Sequence, residues 1–448
     1  MRSITVADAS GLWDGAVSGV ANFKLITEPS DLQDLARDLK KADVIAFDTE
    51  ADSFYHYFDK TCLIQVSTRE EAWLIDPLAL GDADALAPLG PIFADPKIRI
   101  LFHAAEYDIF ILKRDYGFTF TNLFDTMLSA QLLGYPAVGL AALVERHFGI
   151  RPPKDEQKSD WSRRPLTEKQ LEYAVTDVYY LIKLSEMLEE ELKEKNRLGW
   201  AQHEFLTLVG REWPEREFDT LGYLKIKGAK LLDSVSLAVL RELYLVRDRR
   251  AREIDRPPFK VLGNRTLLEL AREHPTEKSD LVRIKGVTEL IVRRTGDDLL
   301  RAIEKGLEKP HGPIPKQVNA NARRRMDRQM ERRLEKLKTW RTPRSKELKI
   351  DPGVLAPNAC LEAISIANPG SPEDLAEIPE VKTWFAESFG PEVLTLIQSD
   401  KNASETEGPP AAKPRKRSSG ARKQRRRKAS SSSANKDSAE VAGAKDPE

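Results

Sequence analysis

The pattern of apolar and polar positions changes character once along the chain. From about residue 22 to about residue 210, short apolar runs alternate with stretches whose apolar residues recur every three or four positions. VIAFDTE (44–50), CLIQVST (62–68), AWLIDPL (72–78) and IRILFHAA (98–105) predict strands, the second and third close enough to pair as antiparallel neighbours. EYDIFILKRDYGF, NLFDTMLSAQLLG and LAALVERHFGI predict helices, the middle one stopped by Gly134 and Pro136. Thr167 and Gln170 have the spacing of a capping box and open a single long helix through LEYAVTDVYYLIKLSEMLEEELKEK. Its apolar face runs through Leu171, Val175, Val178 and Ile182, with Tyr173, Asp177 and Tyr180 on a neighbouring stripe. Strands followed by mixed helices predict an α/β domain built on a central mixed sheet.

From about residue 236 the strand signal disappears and a repeat takes over. Val261-Leu262 and Leu268-Glu269 recur as Val354-Leu355 and Leu361-Glu362. Pro275, Leu281, Ile284, Val287 and Gly296 match Pro369, Leu375, Ile378, Val381 and Gly390, with the offset constant to within one residue. Two copies of a small all-α domain are therefore expected. Beyond about residue 399, Ser, Ala, Lys, Arg and Pro dominate, and such a segment cannot bury a core. The expected organisation is an N-terminal extension (1–21), an α/β domain (22–215), helical domains at 216–310 and 325–398, and a disordered basic tail (399–448).

Composition narrows the class. At 448 residues, the chain is too long for one core and fits two to four domains; 41% hydrophobic and 32% charged residues fit a soluble globular protein. It has no apolar run long enough for a membrane span, and its N-terminus lacks the pattern of a signal peptide. The only two cysteines, Cys62 and Cys360, lie in different expected domains. That argues against a disulfide framework or thiolate metal site and for a reducing, cytoplasmic setting. The net charge of +0 hides a polarised chain, acidic over the first two hundred positions and strongly basic in KPRKRSSGARKQRRRK (413–428).

Three places carry candidate chemistry. Asp48 and Glu50 are two apart on a strand, so their carboxylates share a face at the end of a buried run. Their repulsion in apolar surroundings is a penalty that a divalent cation removes. Tyr173 and Asp177 are four apart on a helix and share a face. Asp108 opens a helix, where the helix dipole alone would explain an acid. Taken singly, each has an ordinary structural explanation.

In order along the chain they resemble a known set. FDTE (47–50), HAAEYD (103–108) and YAVTD (173–177) match the three motifs of exonucleases that carry four acids and a tyrosine. The words CLIQVS and SDWSRRPLTEKQLEYAVTD resemble ribonuclease D in particular, nearly end to end across the α/β domain. A sister group has histidine where this chain has Glu172, which puts the chain with the tyrosine type. The repeats resemble the helicase-and-RNase-D C-terminal (HRDC) domain, the second copy being more divergent.

The resemblance implies a ribonuclease H-like exonuclease domain with two HRDC domains, acting as a 3′→5′ exoribonuclease by a two-metal mechanism. It implies two Mg²⁺ or Mn²⁺ ions held by Asp48, Glu50, Asp108 and Asp177, with Tyr173 orienting the attacking water. His103, Trp161 and Arg163 are expected near substrate, and Arg164 shares that segment. Expected partners are RNA, such as tRNA precursors or other 3′-extended RNA, and no membrane; a monomer is expected. Arg247, Arg249, Arg250, Arg252 and Arg256 form either a phosphate-binding face or a solvated one. The basic tail would contact RNA or ribosomes. A DNA 3′→5′ exonuclease and a catalytically silent RNA-binding scaffold are the competing readings.

Overall fold

The computed structural model describes residues 2–5, 20–152, 155–213, 217–311 and 327–404. Among them, seven strands form one mixed sheet: β1 (Arg2–Thr5), β2 (Val20–Ile26), β3 (Val44–Ala51), β4 (Thr61–Ser67), β5 (Ala72–Ile75), β6 (Arg99–Phe102) and β7 (Leu123–Asp125). Their spatial order is β1-β2-β5-β4-β3-β6-β7. β3 lies antiparallel to β4 and parallel to β6, and β4 lies antiparallel to β5. β4 is buried at every position and β3 from Val44 to Phe47. Burial on both faces explains why these strands read as continuous apolar runs. On one face Leu63 and Leu74 pack with Leu171, Ala174 and Val175; on the other Phe47, Ile64 and Val66 pack with Ile109 and Leu112.

Four local expectations change. Leu123–Asp125 is not helical but pairs with Ile100–Phe102 as β7. Asp125 then caps the helix Thr126–Leu133, accepting from the Met127 and Leu128 N–H groups, so that helix cannot extend backward. The long helix is two, Glu168–Tyr179 and Leu181–Glu194, although neither glycine nor proline marks the break at Tyr180. Tyr180 is buried, with its ring 5.4 Å from that of Phe148, and leaves the Tyr173–Asp177 stripe. At the N-terminus, Arg2–Thr5 joins the sheet edge antiparallel to β2, whereas residues 6–19 lie outside the described residues. The last helix, Thr383–Ser404, runs past the expected start of the tail; residues 405–448 are outside the described residues.

The repeat is visible helix by helix. Ser234–Glu253, Asn264–Glu273, Lys278–Arg283 and Glu289–Glu308 recur as Arg328–Leu348, Asn358–Ala367, Pro372–Ala376 and Thr383–Ser404. His274 and Asn368 end equivalent helices at φ 47° and 48°. Gly296 lets its helix approach Leu281, and Gly390 does the same against Leu375, where added Cβ atoms would meet the leucines at 3.6 and 3.3 Å. The two copies sit differently, however. The first has an apolar core of its own, whereas the second continues the core of the α/β domain. Trp384 stacks on Trp200 at 4.7 Å and donates to Glu204 at 2.6 Å, while Arg197 donates to the carbonyls of Leu132 and Leu348.

Gly134 stands where this second module closes on the α/β domain. It has φ +83°, and a Cβ there would collide with the Lys349 carbonyl. Gly117 also has positive φ (+65°) but faces open space. Gly117→Ala should therefore lose only the backbone preference, about 1–2 kcal/mol. Gly134→Ala should lose clearly more, because the interface must also give way. Urea melts of both variants check this, and equal losses would contradict the docking role.

Candidate active site

The strand β3 delivers the first two acids. Its buried half fixes the backbone, and Asp48 and Glu50 project together from the half that opens to solvent. A bulge follows between Glu50 and Ala51 and turns the chain away from the sheet. The helix Glu168–Tyr179 lies over the same face, tied down where the Ser67 hydroxyl donates to the Val178 carbonyl at 3.0 Å. Its Thr167–Gln170 capping box is formed on both sides. Asp177 is thereby brought to the strand, and one oxygen each from Asp48, Glu50 and Asp177 lie within 4.8 Å of one another.

Asp108 belongs to the same electrostatic group but not to that tight cluster. It is buried in the first turn of the helix Glu106–Tyr116, and Thr49 Oγ1 donates to its Oδ1 at 2.6 Å. Thr49 was not singled out from the sequence. Strand alternation alone places it opposite Asp48 and Glu50, but nothing local names its partner. Gln65 is another such residue: fully buried, in cross-strand register with Asp48, and carried only by the CLIQVS likeness.

Burial, and then the charges of Asp108, Asp177 and Glu50, raise the Asp48 carboxyl well above its ordinary range. Glu50 is raised by burial and by Asp177 and Asp108. Burial pushes Asp108 up to about 7 against the opposing Thr49 hydrogen bond. Asp177 is likewise pushed up to about 7 by burial, although the Tyr173 hydroxyl donates to it. Tyr173 itself is raised by burial and by the acids around it, so its phenol keeps its proton at neutral pH. The neighbouring charges that dominate at Asp48, Glu50 and Asp177 are all negative. An all-oxygen, all-anionic donor set of this kind fits a hard divalent cation.

The remaining candidates divide by exposure. His103 lies beside the second motif with Nδ1 2.9 Å from Thr126 Oγ1, and burial pulls its imidazole down to about 4, leaving it neutral. Asp125 accepts from the Ala104 and Ala105 N–H groups as well as capping its helix, so it shapes the turn into that motif. Trp161 is buried, its ring 6.1 Å from that of Tyr173. Arg163 is open to solvent beside Asp160, whereas Arg164 is spent on Asp76 and the Cys62 carbonyl. In the arginine group, Arg247 is buried against the Leu262 carbonyl and Asn264, and Arg250 pairs with Glu253. Arg252 lies over the Tyr57 ring and Arg256 donates to the Tyr55 carbonyl.

Known proteins share this order of domains. Residues 23–193 match the model of a 3′-5′ exonuclease domain, and residues 236–303 and 330–397 each match the HRDC domain. Ribonuclease D of Pseudomonas paraeruginosa is 31% identical over 84% of this chain and 97% of the relative. Ribonuclease D of Desulfotalea psychrophila is 32% identical over 74% of this chain and 87% of its own. The crystal structure of Escherichia coli RNase D, described as an exoribonuclease involved in structured RNA processing, superposes with a TM-score of 0.61 at 27% identity. It covers 84% of this chain and 99% of that one. The catalytic core of RRP6 from Trypanosoma brucei matches with a TM-score of 0.60 at 27% identity, covering 69% of this chain and 83% of that one.

The raised carboxyls make the metal-free fold sensitive to pH. An acid whose folded pKa exceeds its unfolded value binds more protons when folded, so its favourable contribution is complete at low pH and fades as pH rises. For Asp108 and Asp177 the window runs from the ordinary 3.8 up to about 7. In EDTA, the thermal midpoint should therefore fall across this window, and Asp48→Asn should raise the midpoint at neutral pH by relieving repulsion. Scanning calorimetry on both proteins checks this; a flat profile with no gain in Asp48→Asn would contradict it.

Proposed function

Since the chain belongs to the ribonuclease D family, we propose that it is a 3′→5′ exoribonuclease that releases nucleoside 5′-monophosphates from RNA. The observation that carries this reading is the convergence of Asp48, Glu50 and Asp177 within 4.8 Å, with the Tyr173 hydroxyl on Asp177. Asp48, Glu50 and Asp177 would hold divalent metal, Mg²⁺ or Mn²⁺, with Asp108 assisting, and we read the site as built for two ions. When bound, such ions lower the pKa of water and stabilise the oxygen that leaves.

The chain's own groups have separate tasks. Water attacks the phosphorus of the terminal phosphodiester, and the bond to the 3′-oxygen of the preceding nucleotide breaks. Tyr173, protonated at neutral pH, orients that water by hydrogen bonding and does not act as a base. Trp161 steadies Tyr173 from behind, and neutral His103 supports the turn that presents Asp108. Arg163, open to solvent beside this helix, is the candidate for a substrate phosphate. The HRDC modules would hold structured RNA close to the acids, which favours precursors such as 3′-extended tRNA. The tail, outside the described residues, would add phosphate contacts without sequence preference. No described helix is long and apolar enough to cross a membrane, and we place the activity in the cytoplasm on a monomer.

Products should be analysed on 3′-extended tRNA, unpaired RNA and DNA, with Mg²⁺ or with EDTA. We expect nucleoside 5′-monophosphates from the RNAs only, and none in EDTA. Asp48→Asn should cut turnover by more than about a hundredfold, the upper figure for disturbing even an outer partner of a metal ligand. Equal turnover of DNA would favour a DNA exonuclease, and RNA binding without any product would favour a scaffold.

A further inference from the structure

The loop after β3 begins two residues beyond Glu50 and runs into the first helical module. His56 Nδ1 lies 2.6 Å from Asp255 Oδ2, and the Tyr57 and Phe58 N–H groups donate to Asp255 Oδ1 at 2.9 and 3.2 Å. The Tyr57 hydroxyl donates to Asp248 at 2.8 Å, and Lys260 lies 3.7 Å from the centre of the Tyr55 ring. These contacts hold the loop backbone at Tyr57 and Phe58 and the side chains of Tyr55, His56 and Tyr57. They leave Phe54 and Phe58 on the outside, 48% and 59% exposed. Across the seam, Phe259 is 57% exposed, between Arg256 and Lys260 in sequence. A second aromatic row, Phe110 and Trp213, lies on the far side of the Asp108 helix, but its rings are covered by Arg114, Lys113 and Arg211. That row is a packed staple; at the seam Phe54 and Phe259 are open to solvent, and Phe58 meets the Tyr57 ring edge-on at 5.0 Å with more than half of its surface still exposed.

Bare aromatic faces beside cations are the elements of a surface for unpaired nucleic acid: bases stack on the rings whatever their identity, and the cations follow the phosphates. Arg252 and Arg256 each use only part of their donor fork in the seam, so further N–H groups remain for phosphate oxygens. We propose that Phe54, Phe58 and Phe259 form a stacking ledge for the unpaired nucleotides upstream of the bond to be cut, flanked by Arg252, Arg256 and Lys260. The occupant is the substrate's own 3′ strand, because the loop that carries two of the rings leads directly from Glu50. The inference rests on the exonuclease reading and adds to it a preference for a single-stranded run of several nucleotides next to the 3′ end.

The full-length protein with Phe54→Ala and Phe58→Ala together tests this, beside Phe259→Ala and the conservative Phe58→Trp. Binding of a fluorescent unpaired RNA oligomer is followed by anisotropy in EDTA, which reads the ledge whether or not the protein hydrolyses RNA. Turnover of the same oligomer and of a dinucleotide is measured with Mg²⁺. The double variant should weaken oligomer binding and raise its KM by about tenfold or more. Its kcat, its dinucleotide kcat/KM and its thermal midpoint should stay unchanged, and Phe58→Trp should bind like the parent. Unaltered oligomer binding would overturn the ledge and make the rings a surface for a protein partner. Equal losses on dinucleotide and oligomer would also overturn it, by assigning the rings to the reacting nucleotide. Failure of the parent to release nucleotides, with the binding loss intact, would sink the exonuclease reading and leave the ledge standing.

Discussion

Like charges forced together at the end of a sheet set the terms for this molecule. Asp48, Glu50 and Asp177 crowd within 4.8 Å, with Asp108 close behind. Partial burial removes most of the water that would screen them, so each carboxylate raises the cost of ionising the next. No fold adopts such an arrangement for its own stability. It persists because the neighbouring structure over-determines it: β3 is buried through Phe47, Ser67 ties the helix of Asp177 to the sheet, and Thr49 holds Asp108. A divalent cation is the one common ligand that turns this repulsion into binding energy.

The two helical modules come from one ancestral pattern but meet the α/β domain in different ways. In the second, Trp384 is buried on Trp200 and the module's core is continuous with that of the α/β domain. The equivalent position in the first is Leu290, which is exposed, and that module keeps a core to itself. Its contact is polar and local, made through Asp255 and Asp248 to the loop that follows Glu50. One module thus braces the fold, while the other grips the segment nearest the acids.

Much of this was legible in the sequence, for identifiable reasons. Continuous apolar runs marked β3, β4 and β6, and the Thr167–Gln170 pattern marked the helix that carries Asp177. Strand and helix periodicity put Asp48 beside Glu50 and Tyr173 beside Asp177. What periodicity could not give was contact between distant elements. The bond from Thr49 to Asp108, the break at Tyr180 and the pairing of Leu123–Asp125 with β6 all depend on tertiary packing. The arginines around Arg252 looked like a free basic face because a charge run does not show which members are consumed by neighbours. Here Arg247 is buried and Arg250 is paired, leaving the seam cations as the informative ones.

The central claim is that the carboxylate cluster is a cation site whose repulsion the cation relieves. Titration calorimetry of Mn²⁺ into the protein, repeated in buffers of different ionisation enthalpy, measures it through protons and without reference to activity. With Asp108 and Asp177 pushed up to about 7, binding at mildly acidic pH should expel protons, and the number released should fall toward zero in alkaline buffer. Asp48→Asn should weaken the binding sharply. Binding that releases no protons at any pH, or that survives Asp48→Asn unchanged, would contradict the account.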